Sequence, residues 1–239
     1  MNLDLDGLID NEQFRRFFLP LATLFLTGLF LSLGLWQLDR AAQKNRLQQM
    51  FESNVYLELR PGMPVVEFQN LETEGRYLSE RQVIVDRIIL DDRLGYYVLT
   101  PLRYAENEPL LIVNRGWIAR SNASGSKPQV EVAGTMRKVR GRMGFLPKVG
   151  IRSGEAFTAN DDWPKLASYP TPDELSRALG AAVLPFVLLL DPDDEDGFIR
   201  RWQPAERGPM MHYGYAAQWF AMAAAVAGIF VWKRRKTAV

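Results

Sequence analysis

The only histidine of this 239-residue chain, His212, is the side chain best suited to chemistry at neutral pH. On a helix with about 3.6 residues per turn, Tyr215, Trp219 and Met222 follow it along one face, at steps of three, four and three residues. A lone imidazole on such a face is either a hydrogen-bonded interface residue or a ligand, and the residues alone leave both interpretations open.

A second polar and aromatic cluster, formed by Trp36, Gln37 and Arg40, lies near the other end of the chain. Taken alone, Trp36 is typical of an aromatic residue at a membrane interface, and Arg40 of a side chain that reaches lipid headgroups. A different chemistry becomes available if this cluster meets His212. Neutral imidazole is a common ligand of haem iron, for which one axial histidine suffices.

A haem also needs flat apolar surfaces and partners for its propionates. Tyr215, Trp219 and Trp36 would supply the surfaces, and Arg40 would form charge-assisted pairs with the propionates. The sequence holds no second histidine for bis-histidine ligation, so the second axial position of the iron would be filled by a methionine or left open. The candidate cofactor site therefore comprises these residues, with His212 as the axial ligand: His212, Tyr215, Trp219, Trp36, Gln37 and Arg40.

Two uncharged, mostly apolar runs must position these clusters. Residues 17–38 and 213–232 have the length that an α-helix needs to cross a hydrocarbon core of about 30 Å. No small-residue cleavage site follows the first run, so we expect a retained membrane anchor. The second run carries small residues at the spacing of close helix packing, although an alanine-rich helix without such packing is the alternative. These small residues are Ala217, Ala221, Ala224, Ala225 and Gly228.

Charges beside the two runs predict the orientation of the chain. The basic residues at 233–236 favour a cytoplasmic C-terminus, and Arg15 and Arg16 weakly agree. Two spans place both termini on one side, so the central region is predicted to face the periplasm. The N-terminus is too acidic for a mitochondrial transit peptide, which favours a bacterial inner membrane. The predicted segments are a cytoplasmic tail (1–16), a first span (17–38), a periplasmic domain (39–212), a second span (213–232) and a basic cytoplasmic tail (233–239).

The central region is predicted to be rich in β-structure. Residues 82–90 and 96–102 flank a turn at 91–95 and form a hairpin. Further strands are predicted at 110–118, 129–143 and 183–190, and a loop at 121–127. One helix has a capping box at 171–174 and ends at Gly180. The fold class is an α+β membrane protein, in which a two-helix hairpin holds a large, mostly antiparallel β domain between its legs.

Two motifs in this domain carry alternatives. Arg115, Gly116 and Trp117 end a predicted strand, either as a partner-docking corner or as a structural turn with an anchoring tryptophan. The acidic stretch 191–197 departs from a calcium loop, because its sixth position is Asp196 rather than glycine and its twelfth is Trp202 rather than glutamate. We therefore expect a solvated turn there.

Composition excludes several classes of protein. The net charge of +1 and the scattered arginines argue against nucleic-acid binding. The absence of cysteine removes disulfides, thiolate nucleophiles and iron–sulfur clusters, and a single histidine removes a multi-histidine metal site. The sequence has no phosphate-binding glycine loop and no nucleophile elbow, so we predict that the protein is not an enzyme.

The chain resembles the surfeit locus protein 1 family over roughly residues 17–236. The motifs that carry the resemblance are GLWQ at 34–37 with Arg40 and Lys44, GYYVLTPL at 95–102, VNRGW at 113–117, and His212 followed by GYA at 214–216 and WF at 219–220. Where the family pattern often has asparagine-asparagine-histidine, this chain has Met210-Met211-His212.

The resemblance implies a role in the assembly of haem-copper cytochrome c oxidase, around the insertion of haem a into the catalytic subunit. It also implies haem a binding at the histidine of the second span, which is His212 here. The expected partners are oxidase subunit I, haem A synthase and membrane lipid. Two rivals stay open: a chaperone without a cofactor that clamps oxidase subunits, and a membrane-tethered enzyme, which would need a cluster of perturbed carboxylates.

Overall fold

The structure, a computed structural model, describes residues 12–120, 128–148, 150, 154–157, 162–203 and 208–237. The predicted loop at 121–127 and most of the predicted N-terminal tail lie outside the described residues. The chain divides into a helical unit, Met1–Gln48 with Ala205–Val239, and a β unit, Gln49–Pro204.

The helical unit is built from most of α1 (Glu12–Glu52) and all of α3 (Pro209–Thr237). These helices contain both predicted spans and extend beyond them at each end. Each is long and apolar enough to cross a membrane by length and composition. The last turn of α3 is basic, where cations favourably meet the negative end of the helix dipole.

The described part of the β unit contains one mixed sheet of eight strands and a short helix, α2 (Pro172–Leu179). The strands are β1 (Leu57–Glu58), β2 (Asn70–Tyr77), β3 (Val83–Leu90), β4 (Arg93–Arg103), β5 (Leu110–Ala119), β6 (Met136–Gly144), β7 (Lys165–Ala167) and β8 (Val183–Leu190).

The sheet curls until β2 and β4, which are not neighbours in the strand order, also pair with each other. Its order is β1-β2-β6-β8-β5-β4-β3-β7, and β2 also pairs with β4 through Arg76 and Arg103. Strands β2, β6, β8, β5 and β4 therefore form a closed ring, which leaves these strands fewer free edges. The main apolar core contains buried side chains from all five ring strands, among them Leu71, Leu102, Val113, Val139 and Leu188.

Most of the predicted elements are confirmed. The strand at 183–190 is found as predicted, and α2 has the predicted capping box at Thr171 and a left-handed Gly180 at its end. The predicted turn at 91–95 is shorter in the structure, because Asp91 and Asp92 adopt positive φ angles of 49° and 58° and form a two-residue hairpin loop.

Two strand predictions need correction. The predicted strand at 129–143 begins only at Met136, because the carbonyl groups of Val130 and Glu131 accept hydrogen bonds from a side chain instead of a neighbouring strand. Strands β1, β2 and β7 were not predicted. Among the pairings of the described strands, five are antiparallel and three parallel, so the sheet is mixed.

Candidate functional site

Polar side-chain contacts join the helices α1 and α3. The Nδ1 atom of His212 lies 2.8 Å from the side-chain oxygen of Gln37, and the side-chain amide of Asn45 donates to the hydroxyl of Tyr213 at 2.9 Å. From the His212–Gln37 contact, the contacts deeper along the pair, of Trp219 with Phe30 and of Phe220 with Gly34, follow α3 forwards and α1 backwards, so the two helices are antiparallel. The meeting of His212 with the Trp36–Arg40 segment, on which the candidate site depended, is observed at Gln37.

The contact with Gln37 defines which nitrogen of His212 carries a proton. A side-chain carbonyl oxygen can only accept, so the Nδ1 atom donates to it, and in the neutral ring the Nε2 atom then keeps a lone pair. Gln37 is buried and His212 is half-buried. A carbonyl that holds the second ring nitrogen of a histidine is the arrangement typical of metal-binding imidazoles. Both interpretations of His212, an interface residue and a ligand, include such a hydrogen bond, so the ligand role stays a prediction.

The aromatic and cationic partners predicted for this site are exposed. The indole of Trp36 is 51% exposed, and the guanidinium of Arg40 lies 5.7 Å from its ring centroid. Arg40 also donates to the side-chain oxygen of Gln43 at 3.0 Å, and Tyr215 is 45% exposed. These residues can therefore meet an external ligand that offers an apolar face and a negative charge.

Trp219 occupies a different level of the helix pair. Its ring stacks against Phe30 at a centroid distance of 5.7 Å. Seven residues separate Trp219 from His212, which corresponds to about 10 Å along the helix axis. Trp219 thus shares the interhelical face with His212 but lies deeper along it, with Phe30 against its ring.

The predicted small-residue packing face of α3 is formed by other residues than the predicted ones. Ala216 and Ala223 are buried, whereas the five small residues predicted to pack are exposed: Ala217, Ala221, Ala224, Ala225 and Gly228. The small residue at the contact comes from α1 instead. A Cβ atom on Gly34 would lie 2.5 Å from the ring of Phe220, so α3 contributes the large side chain and α1 the space.

Asn45 and Tyr213 were missed as site residues, although a signal existed. Gln37, Ala41 and Asn45 follow at four-residue steps on α1, and Ala41 is fully buried. Polar residues in line with a buried small residue indicate a helix-packing face.

In the β unit, Arg115 lies inside the domain and is 3% exposed. Its guanidinium donates to the side chain of Gln82 at 3.0 Å and to the carbonyls of Val130 at 2.8 Å and Asp196 at 2.7 Å. Burial lowers the pKa of Arg115 to about 10. At neutral pH it is a paired, buried cation that joins three separate segments of the chain.

Gly116 and Trp117 complete the same structural corner. Trp117 is 2% exposed and donates from its ring nitrogen to the carbonyl of Ile88 at 3.0 Å. Gly116 has a φ of 112°, a conformation that favours glycine. These contacts match the structural alternative for Arg115, Gly116 and Trp117, and the side chains of Arg115 and Trp117 present almost no surface. Partner docking through this motif stays a prediction.

The acidic stretch 191–197 is solvated only in part. Asp193 and Glu195 are exposed, as in a solvated turn, but Asp191 accepts from the hydroxyl of Tyr56 at 2.6 Å and Asp196 pairs with Arg137. Burial raises the pKa of Asp194, against the lowering effect of nearby arginines. Among the residues that the structure describes, no group of three or more His, Asp or Glu side chains could hold a metal ion.

The fold and the site together define a class of protein: a β unit with a closed ring of strands that lies, along the chain, between two long apolar helices paired through an imidazole. The chain belongs to the SURF1 family, whose profile matches residues 24–224. The resemblance drawn from the motifs is thereby confirmed. Membership is consistent with a role in respiratory-chain assembly and with a non-enzymatic function.

Several curated relatives are similar over most of the chain. A SURF1-like protein of Rickettsia conorii is 23% identical over 228 residues, which cover 87% of this chain and 88% of that protein. A SURF1-like protein of Monosiga brevicollis is 26% identical, over 85% of this chain and 83% of its own length. Surfeit locus protein 1 of Rattus norvegicus is 27% identical over 58% of this chain and 53% of its own.

Proposed function

We propose that this protein is an assembly factor for haem-copper cytochrome c oxidase that assists the insertion of haem a into the catalytic subunit. Family membership supports the assembly role, and the contact between Gln37 and His212 carries the proposed haem site. The two apolar helices cross a bacterial inner membrane, with both termini in the cytoplasm and the β unit in the periplasm. The basic end of α3 supports this orientation.

The residues of the helical unit fit the chemistry of a haem. His212 offers the Nε2 lone pair to the iron, and its other nitrogen is held by Gln37. Trp36 and Tyr215 offer exposed aromatic surface for the macrocycle, while Arg40 offers a cation for a propionate. Haem a, when bound, supplies an iron that accepts the imidazole. One axial histidine surrounded by exposed aromatic and basic side chains suits a haem that is held for transfer more than a haem that is kept permanently.

The β unit would dock on oxidase subunit I or on haem A synthase, which supplies the haem. Its closed ring of strands and its buried Arg115 suit a rigid domain that presents a surface. The enzyme alternative required a cluster of perturbed carboxylates. Among the described residues, Glu72 has its pKa lowered chiefly by a hydrogen bond from Lys138, and Asp194 has its pKa raised by burial beside arginines. Both carboxylates lie among basic partners, which supports a structural role for them.

The test compares haem content in two variants that differ by one position along α3. The protein is purified in detergent from cells that make haem a, and its visible spectrum is recorded. His212→Ala is expected to lose most of the bound haem. Tyr213→Phe breaks the neighbouring hydrogen bond to Asn45 but keeps the imidazole, and it is expected to retain the haem.

Two results would contradict the proposal in different ways. Equal haem in His212→Ala and the unaltered protein would reject the ligand role of His212. A colourless unaltered protein that still associates with oxidase subunit I would favour the chaperone without a cofactor, which is the alternative function.

A further inference from the structure

Gln37 was predicted to contact the cofactor, but the structure directs its side chain to His212. Its carbonyl oxygen lies 2.8 Å from Nδ1, and the residue is 9% exposed between the two helices. A group this buried is poorly placed to be a second contact for a large ligand. Among the described residues, its side-chain hydrogen bond is with the imidazole.

The neutral side chain of histidine in water favours the tautomer with the proton on Nε2. That tautomer leaves Nδ1, the nitrogen closer to the backbone, as the one free to bind a metal. An acceptor at Nδ1 reverses the preference, because Nδ1 must carry the proton in order to donate. The outer nitrogen, Nε2, then keeps its lone pair.

We propose that Gln37 is a positioning residue, which holds His212 in the Nδ1-protonated tautomer and reserves Nε2 for the ligand. The inference rests on the proposed function in naming haem iron as that ligand. Two features make the hold effective. Gln37 is buried on a helix, and Ala216, one turn along α3 from His212, is buried as well.

The Asn45–Tyr213 contact provides a matched control. It also joins α1 to α3 through one polar hydrogen bond, at 2.9 Å, and its acceptor is the residue next to His212. It does not touch the imidazole. A change caused only by looser helix packing would therefore follow from breaking either contact, whereas a change of tautomer would follow only from losing Gln37.

The first experiment needs no haem. Because the chain has one histidine, ¹⁵N-labelled histidine gives the signals of a single ring without assignment. Spectra of the full-length protein in detergent at a pH of about 8.5, where imidazole is neutral, report which nitrogen is protonated. We expect the Nδ1-protonated form in the unaltered protein and in Asn45→Leu. We expect Gln37→Leu to shift to the Nε2-protonated form.

An Nε2-protonated ring in the unaltered protein, or a Gln37→Leu spectrum identical to it, would overturn the positioning role. The spectrum of the unaltered protein can overturn the role even if Gln37→Leu does not fold. In a second experiment, titration with haem a should show about 10–100-fold weaker binding to Gln37→Leu than to Asn45→Leu. Equal affinities of these two variants would also overturn the role.

The two proposals fail separately. An unaltered protein that has the Nδ1-protonated tautomer but binds no haem a would reject the haem-holding function, and with it iron as the ligand, while the tautomer control by Gln37 stands. An unaltered protein that binds haem a through His212 without this tautomer would reject the role of Gln37 alone.

Discussion

Arg115 donates a hydrogen bond of 3.0 Å to the side-chain oxygen of Gln82, and both residues are buried in the β unit. The same oxygen accepts from the hydroxyl of Thr100 at 2.9 Å. The side-chain amide of Gln82, which directly precedes β3, thus connects β4 and β5. Arg115, which belongs to a motif with both a docking and a structural interpretation, is therefore part of a polar centre of the domain.

Replacing Arg115 with leucine should destabilise the β unit by about 3–5 kcal/mol, because it leaves buried acceptors of Gln82, Val130 and Asp196 without their donor. Chemical unfolding of the full-length protein in detergent measures the loss. Arg120→Leu is the control, since the Arg120 side chain is half exposed and pairs with Asp86 only at 3.7 Å. It should cost under about 1 kcal/mol. Equal losses in the two variants would contradict the special position of Arg115.

Gly95→Ala should destabilise the β unit by about 1–3 kcal/mol, because the added Cβ would lie within 2.5 Å of the buried ring of Trp117. The backbone carbonyl of Ile118 is also too close, so neither neighbour can move away cheaply. Gly134→Ala serves as the comparison, since its nearest neighbour is the hydroxyl of Ser79 at 3.3 Å. Thermal unfolding of the full chain should give a lower midpoint for Gly95→Ala alone.

Gly34→Val should loosen the packing of α1 against α3, because its side chain would enter the space of the Phe220 ring. Gly28→Val tests the same substitution on the same helix at a position with no atom within 4 Å. The chain has no cysteine, so spin labels on introduced cysteines at Leu31 and Ala217, both exposed, report on the pair. Their distance distribution should broaden in Gly34→Val and stay narrow in Gly28→Val.

Tyr56 should make the stability of the β unit fall in strongly alkaline solution. Burial and the hydrogen bond to Asp191 raise the pKa of Tyr56 from 10.0 to about 12. The folded state therefore binds the phenol proton more tightly than the unfolded chain. Its contribution is complete below pH 10 and is lost as the pH rises to about 12.

The measurement is the difference in unfolding free energy between the unaltered protein and Tyr56→Phe across that pH range. The difference should shrink from pH 10 to 12, and other titrating groups, Arg115 included, cancel because both proteins contain them. A difference that stays constant or grows with pH would show that the raised pKa is absent.

Much of the β unit was predictable because its signals are local. The capping box at Thr171 closes within four residues, and the strand at 183–190 is a continuous apolar run. Strand β2 was missed because it lacks such a run. Its apolar and small residues alternate with Glu72, Glu74 and Arg76, a period of two that its sequence does contain.

The sequence by itself determined the two apolar helices, the β-hairpin at 82–102, the capped helix α2 and the choice of His212 as the leading candidate residue. Each of these depends on neighbours a few residues apart. Only the tertiary structure decided that Gln37, 175 residues from His212, holds its Nδ1 atom, and that Arg115 binds Asp196 from 81 residues away. It also decided that α3 presents Ala216 and Ala223, rather than its longer row of small residues, to α1. The reason is physical: periodicity defines the faces of a helix or strand, but which face is buried depends on the shape of a partner that lies far away in the chain.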